Sequence, residues 1–427
     1  MSIAAYPKYE SYKSTGVAWS PEAPGHWDIK PLAAAARVIS EADQPDLELL
    51  SVYLGRGVIR FSDVEEKRTN ATSLDLSRYQ IVNPGNLVLN NQQAWRGSVG
   101  VSAHRGIVSP AYIVLDLGDS FDLRFADYYF QTSTTVSHFL VSSKGVGTIQ
   151  RNLYWPALRR CPITIPPVSE QRAIGLFLDE KCEAIDEAIR IKEAQIKLLA
   201  ERRQILIQQA VTRGLNPDAP MKDSGIDWIG QIPAHWGTRR FKYLFEQSRL
   251  PVRSDDGVVT SFRDGQVTLR LNRRLAGYTE AVLEGGYQGI RKGQLVLNSM
   301  DAFEGAIGVS DSDGKCTPEY VICNPIEDSD SQDYFAHLLR EMALARYIQV
   351  ICNAVRQRAV RIRFNNLAHR FMVVPPHSEQ IEIVSFIESA KRSIGNAISI
   401  KEDQITVLKE YKNSLINAAV TGKIKVI

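Results

Sequence analysis

The chain repeats itself, and this constrains it more than any other feature. Residues 165–212 align without a gap onto 374–421 at an offset of 209, with 22 identities in 48 positions. Pro166-Pro167-Val168-Ser169-Glu170-Gln171 returns as Pro375-Pro376-His377-Ser378-Glu379-Gln380, and Ala210-Val211-Thr212 returns as Ala419-Val420-Thr421. The same offset links Gly16, Trp19, Pro24, His26 and Trp27 to Gly225, Trp228, Pro233, His235 and Trp236. Between these markers a fainter match at 208 pairs Leu87-Val88-Leu89-Asn90 with Leu295-Val296-Leu297-Asn298, and Gly97 with Gly305. Since 427 is twice 209 plus 9, one unit used twice accounts for nearly the whole chain. Each half is a divergent globular segment followed by a preserved one. A duplicated reader of two different targets would show this pattern; drift after duplication is the alternative.

The preserved segments read as long helices. Each follows Pro-Pro, has Ser169 or Ser378 as the expected N-cap with Glu170 or Glu379 on the helix dipole, and stops near Gly214 or Gly422. Ile185, Ile189, Lys192, Ile196, Leu199, Arg203, Leu206 and Ala210 alternate by four and three, a heptad seam. The second copy reads Ile394, Ile398, Lys401, Ile405, Leu408, Lys412, Leu415 and Ala419. The basic seam residues can snorkel from its edge, or fix register by pairing with glutamates of the facing helix. About 43 helical residues extend roughly 65 Å, enough to span DNA half-sites roughly 34–36 Å apart. Two such helices in one chain are expected to pack antiparallel about a pseudo-two-fold axis.

The globular segments read as mixed α/β. Leu87–Leu89, Tyr112–Leu115, Leu295–Leu297 and Tyr320–Ile322 are expected strands; Phe125–Phe130 and Tyr334–Leu339 are expected helices. The expected fold class is α+β (mixed α/β), with two repeated globular domains and two long helices packed as an antiparallel coiled coil. The expected divisions are 1–164, 165–214, 215–373 and 374–427, with a breaker-rich linker from Arg213 to Pro220.

Several loops carry basic and amide side chains without nearby acids in sequence. In the first half these are Asn91, Gln92, Gln93, Arg96, Arg105, Lys144, Gln150 and Arg151. In the second they are Arg270, Asn272, Arg273, Arg274, Arg356, Gln357, Arg358, Arg361 and Arg363. Arginine, asparagine and glutamine have the paired donors and acceptors that read guanine and adenine edges, and arginine and lysine hold phosphates. Two similarly placed clusters in two repeated domains point to DNA contact.

Composition narrows the alternatives. A net charge of +3 excludes a polycationic packaging protein and leaves room for local basic patches. No apolar run approaches the roughly 18 residues of a membrane span, and no signal-peptide layout opens the chain. Cys161, Cys182, Cys316, Cys323 and Cys352 form no CxxC pair, as expected of inert thiols in a reducing cytoplasm. Dinucleotide, P-loop and zinc-protease motifs are missing, as is the NPPF-like tetrapeptide of amino-methyltransferases. His26 and His235, each before a tryptophan, read as structural caps rather than catalysts. Pro45-Asp46 followed by Glu65-Glu66-Lys67 fits a loose nuclease pattern that would hold Mg²⁺, but has no counterpart in the second half.

The run I-P-P-x-S-E-Q-x-A-I-x-x-F-L, the helix ending in Ala-Val-Thr-Arg-Gly-Leu, and the following Asn-Pro-Asp-Ala-Pro-Met-Lys-Asp-Ser-Gly-Ile-Asp-Trp-Ile-Gly-x-Ile-Pro-x-His-Trp resemble the specificity subunit of type I restriction-modification systems. The resemblance covers both halves and is most specific over 165–240. It implies two target-recognition domains, each binding one half of a bipartite, asymmetric site on double-stranded DNA. It implies a coiled coil that sets the spacing and docks two modification (methyltransferase) subunits, which restriction subunits join. It implies no catalytic, cofactor or metal site in this chain: S-adenosylmethionine, ATP and Mg²⁺ would serve the partners' adenine methylation and DNA cleavage. A prokaryotic cytoplasmic location, on the nucleoid when DNA-bound, follows from the same resemblance. A duplicated coiled-coil adaptor without DNA reading, and a metal-dependent nuclease, are the competing readings.

Overall fold

The computed structural model describes residues 3–64, 75–146, 150–273, 286–352 and 361–426. It divides into two compact units: Met1–Glu193 with Glu402–Ile427, and Ala194–Lys401. Each unit thus takes part of both long helices together with one globular segment.

Both units are built on the same four-stranded antiparallel sheet. In the first the spatial order is Arg37–Ile39, Ile113–Asp116, Leu87–Leu89, Val99–Val101. In the second it is Phe245–Ser248, Tyr320–Pro325, Leu295–Asn298, Ile307–Val309. The inner strands are unbroken apolar runs because both of their faces are covered. In the second unit Leu295 and Leu297 join the core under the Gln332–Leu344 helix, while Val296 and Ile322 face a separate cluster with Val259, Val267 and Ile290. In the first unit Val88 and Val114 pack with Leu50, Val52 and Val58. The Leu123–Gln131 helix buries Phe125, Ala126, Tyr129 and Phe130, and Asp122 caps it by accepting the amides of Arg124 and Phe125. The expected strands and helices are therefore present: Leu87–Leu89 keeps its bounds, and all but one of the others are longer. The one shifted strand runs Ile113–Asp116 rather than Tyr112–Leu115.

The long helices are Val168–Arg213, of 46 residues, and His377–Val420, of 44. Each starts one residue before the serine expected to cap it. The Pro167 carbonyl already accepts the amides of Glu170 and Gln171, so Ser169 lies inside the first turn, and Ser378 does likewise. The helix start is secured instead by its glutamine. Gln171 donates to the Ser120 and Pro166 carbonyls and accepts the Asp122 amide; Gln380 donates to the Pro375 carbonyl and accepts the Ser331 amide. Gly214 and Gly422 follow the helices with φ of 74° and 71°, a left-handed conformation that glycine adopts without strain.

Within the first unit the two helices run antiparallel. Lys192 Nζ donates to Gln404 Oε1 at 2.7 Å, and Lys412 Nζ donates to both Asp186 oxygens at 2.8 and 2.6 Å. Moving up one helix from 186 to 192 therefore means moving down the other from 412 to 404. The seam residues of both helices are buried or half-buried; Ile185, Ile189, Ile405 and Leu415 are buried. Lys192 and Lys412 do reach across, but to a glutamine and an aspartate rather than to the expected glutamates.

Asp186 has Gly395 as its counterpart 209 residues on, so the repeat loses this carboxylate in the second unit. Gly395 is interior to the second long helix, and a Cβ there would meet nothing within 4 Å. Glycine in a helix interior costs about 1 kcal/mol relative to alanine. Gly395→Ala is expected to stabilise the chain by about 0.5–1 kcal/mol, read as a higher urea midpoint at unchanged slope; a lower midpoint would show that the site needs glycine.

His26-Trp27 and His235-Trp236 clamp these helices at both ends. In the first unit His26 Nε2 lies 2.7 Å from Glu170, Trp27 Nε1 donates to Glu170 at 3.0 Å, and the Trp27 ring packs against Gly422 after the second helix. In the second unit His235 Nε2 lies 2.6 Å from Glu379, Trp236 Nε1 donates to it at 2.9 Å, and the Trp236 ring packs against Gly214 after the first helix. Each unit thus closes on the start of one long helix and the end of the other. Both histidines thus contact a glutamate at a helix start, where a structural cap would sit.

Candidate nucleic-acid interface

The basic candidates of the first unit other than Arg105 gather on a tight turn and a two-stranded ribbon. The turn opens at Asn90, whose backbone carbonyl accepts the amides of Gln93 and Ala94 and whose side chain accepts the Gln92 amide. A 3-10 turn over Ala94–Arg96 follows, and Gly97 closes it at φ 101°. Trp95 is anchored here, its indole N–H donating to the Gln92 carbonyl at 2.9 Å. The ribbon pairs Ser143–Val146 with Gln150–Leu153, antiparallel. It docks on the turn through the Leu153 amide, which donates to the Asn91 carbonyl at 3.0 Å.

This docking gathers cations over aromatic rings. The guanidinium carbons of Arg96 and Arg151 lie 4.6 and 5.7 Å from the Trp95 ring centroid, and Lys144 Nζ lies 3.7 Å from that of Tyr154. Such contacts hold a flexible cation in one place. Asn91, Gln92, Gln93, Arg96, Lys144 and Arg151 therefore share one region, as does the Gln150 backbone. Arg105 stands apart, on the turn before Gly106–Val108, 3.5 Å from Gln44.

The second unit has the same turn with different chemistry. Asn298 opens it, Ala302–Glu304 forms the 3-10 turn, and Gly305 closes it at φ 96°. Here Phe303 and Glu304 replace Trp95 and Arg96 at an offset of 208. Arg263 pairs with Asp301 at 3.0 Å and with Glu304, and Arg340 donates to the Gly305 carbonyl at 2.7 Å. The docking bond is repeated: the Ile362 amide donates to the Ser299 carbonyl, and the Ser299 hydroxyl donates back to the Ile362 carbonyl at 2.6 Å. Arg361 and Arg363, which flank Ile362, are thereby brought to this turn.

Arg270, Asn272 and Arg273 sit just beyond the Val259–Ser261/Val267–Leu269 hairpin. Arg270 donates to the Thr260 hydroxyl, Asn272 to the Thr268 hydroxyl, and Arg273 pairs with Asp264 at 2.7 Å while lying over Phe262. Glu319 approaches Arg361 at 3.9 Å. Arg263, Arg273 and Arg361 of the second unit thus each have an acidic neighbour. These pairs are not evident in the sequence because Asp264 and Glu319 reach their arginines through the fold. Arg274, Arg356, Gln357 and Arg358 lie outside the described residues.

The remaining readings have narrower support. Glu65, Glu66 and Lys67 of the nuclease pattern lie outside the described residues; Asp46 is exposed. Among the described residues no group of three or more His, Cys, Asp or Glu side chains could hold a metal ion. No helix among them is long and apolar enough to cross a membrane. All five cysteines are free; burial raises the Cys316 thiol to about 12 and the Cys323 thiol further. Sequence reasoning passed over Trp95, Tyr154 and Asn152, whose importance comes from the ribbon docking on the turn.

No protein-family model matches the sequence. Among solved structures that share the fold are two type I R-M proteins. One, from work on complex assembly and conformational transition of the type I R-M system, has a TM-score of 0.65 and 14% identity, covering 94% of this chain and 99% of its own. The other, the HsdS subunit from Thermoanaerobacter tengcongensis, has a TM-score of 0.54 and 15% identity, covering 94% and 98%. The chain therefore has the fold of these proteins over nearly its full length.

Proposed function

We propose that this chain is the DNA-sequence specificity subunit of a type I restriction-modification complex and is itself not an enzyme. One observation carries the reading: the same turn, with the same backbone docking bond, presents Trp95-Arg96 in one unit and Phe303-Glu304 in the other. A shared scaffold with divergent chemistry at one place suits two readers of two different half-sites. Each globular segment binds one half of a bipartite, asymmetric site, and the long helices set the spacer. Methylation of adenine with S-adenosylmethionine, and ATP- and Mg²⁺-dependent cleavage, belong to two modification subunits and to restriction subunits. The complex works in a prokaryotic cytoplasm, on the nucleoid when bound to DNA. The domain divisions at 164, 214 and 373 follow from the same reading.

The helices also supply a docking surface for the modification subunits. Outside the seam, Ile191, Leu198 and Ile205 recur at heptad spacing on the first helix and are exposed; Ile400 and Val407 repeat the first two on the second. Apolar residues exposed at this period suit a partner helix. Leu198→Asp, at a position 62% exposed, is expected to leave the fold intact and to lower capture of the modification subunit at least tenfold in a pull-down. Unchanged capture would move the docking site elsewhere.

Single-molecule sequencing of DNA from cells expressing this chain with its modification partner tests the reading directly. A recurrent bipartite motif methylated in both halves is expected. Methylation without a motif, or none from an assembled complex, would favour the adaptor reading.

A further inference from the structure

We infer that the two-stranded ribbon of the first unit enters the DNA major groove, with Asn152 reading an adenine edge and Lys144 holding a neighbouring phosphate. The inference rests on the DNA-reading function proposed above and assigns residues to it.

The strand register separates the ribbon's two faces. Lys144 pairs with Asn152 and Gly145 with Arg151 across the ladder. Side chains alternate along a strand, so Arg151 and Leu153 share one face and Asn152 the other. Leu153 is buried, and Arg151 leans on Trp95. The inner face is thereby fastened to the turn, and Asn152 and Lys144 project side by side into solvent, both exposed. The Asn152 carboxamide makes no hydrogen bond to another described residue, leaving its donor and acceptor for a ligand.

The chemistry follows from this geometry. A two-stranded ribbon fits the major groove, about 12 Å wide. A carboxamide offers one N–H and one C=O side by side, the complement of adenine N7 and N6. Lys144, steadied over Tyr154, keeps an ammonium within one ladder rung of Asn152, where a reader of base edges needs a phosphate contact to fix its register. At the corresponding position of the second unit, 209 residues on, stands Arg361, which lacks the carboxamide pattern. The two units would therefore read different bases from the same place on the scaffold.

The test uses the full chain assembled with its modification subunits and duplexes that vary one base pair at a time. For Asn152→Ala we expect discrimination at one A·T pair of a single half-site to fall roughly ten- to a hundredfold, with the other half-site read as before. For Lys144→Ala, binding should weaken equally for all sequences, and the slope of log K against log salt should shrink by about 1. Recognition of the second half-site by the same molecules reports on folding, and Asn152→Ser gives a second variant with the same readout. If both Asn152 variants keep every position of the wild-type motif, the assignment is wrong while the proposed function stands. If the wild-type complex shows no motif at all, the functional reading itself fails.

Discussion

Glu170→Ala is expected to cost about 2–4 kcal/mol of stability, and Glu379→Ala about 1–2 kcal/mol. The two glutamates occupy the same place in the repeat, yet their surroundings differ. The Glu170 side chain is 7% exposed and receives Trp27 Nε1, His26 Nε2 and the Tyr9 hydroxyl, the last at 2.5 Å. Removing it strands the N–H of an indole that is fully buried. The favourable charge at a helix start goes too. Glu379 is 33% exposed and bonds His235 and Trp236, and Asp218 stands where the repeat would place a second Tyr9. Water can replace part of what Glu379 supplies. Urea unfolding followed by tryptophan emission checks both variants. Equal losses, or a Glu170 loss below about 0.5 kcal/mol, would mean that apolar packing around Trp27 rather than the carboxylate holds the helix start.

Glu341→Gln is expected to stabilise the second unit above pH 7 by as much as about 3 kcal/mol, and to change little at pH 4.5. Glu341 lies in the Gln332–Leu344 helix, buried, with Gln204 of the first long helix donating to it at 2.6 Å. Burial raises its carboxyl to about 7; the bond from Gln204 and the charge of Arg340 offset this only in part. In the unfolded chain the group ionises near 4.5. Between those values the folded state keeps a proton that the unfolded state has released, so stability falls as pH rises through the window and the loss is complete above 7. Glutamine fills the same space, accepts the same bond and never ionises. The variant-minus-wild-type difference should therefore grow from pH 4.5 to 7 and then level off. A flat difference would show that the carboxyl ionises freely in the folded protein.

Much of the fold was legible because the repeat is written in residue types that act locally. Pro-Pro before a helix, heptad apolar spacing, and glycine after the last turn each work within a few residues. The paired segments 165–212 and 374–421 displayed all of them twice. The inner strands were equally plain, since strands covered on both faces must be apolar throughout. The candidate site was less legible. Arg96, Lys144 and Arg151 were visible as basic residues, but their convergence on Trp95 and Tyr154 depends on one backbone bond between Leu153 and Asn91. Arg273 looked uncompensated in sequence because Asp264 reaches it only across a hairpin. The role of Glu170 was half-read: its place on the helix dipole was evident, while the Trp27 and His26 that grip it lie 143 and 144 residues away.

The amino-acid sequence alone determined the duplication, the two long helices with their seam, and the mixed α/β character of the globular halves. These depend on periodicity and local backbone preference, which need no knowledge of distant partners. The tertiary structure alone decided which helix end each His-Trp pair grips, which cations share an aromatic ring, and which residues of the ribbon face outward. Those are contacts between residues far apart in the chain, and no local rule specifies them.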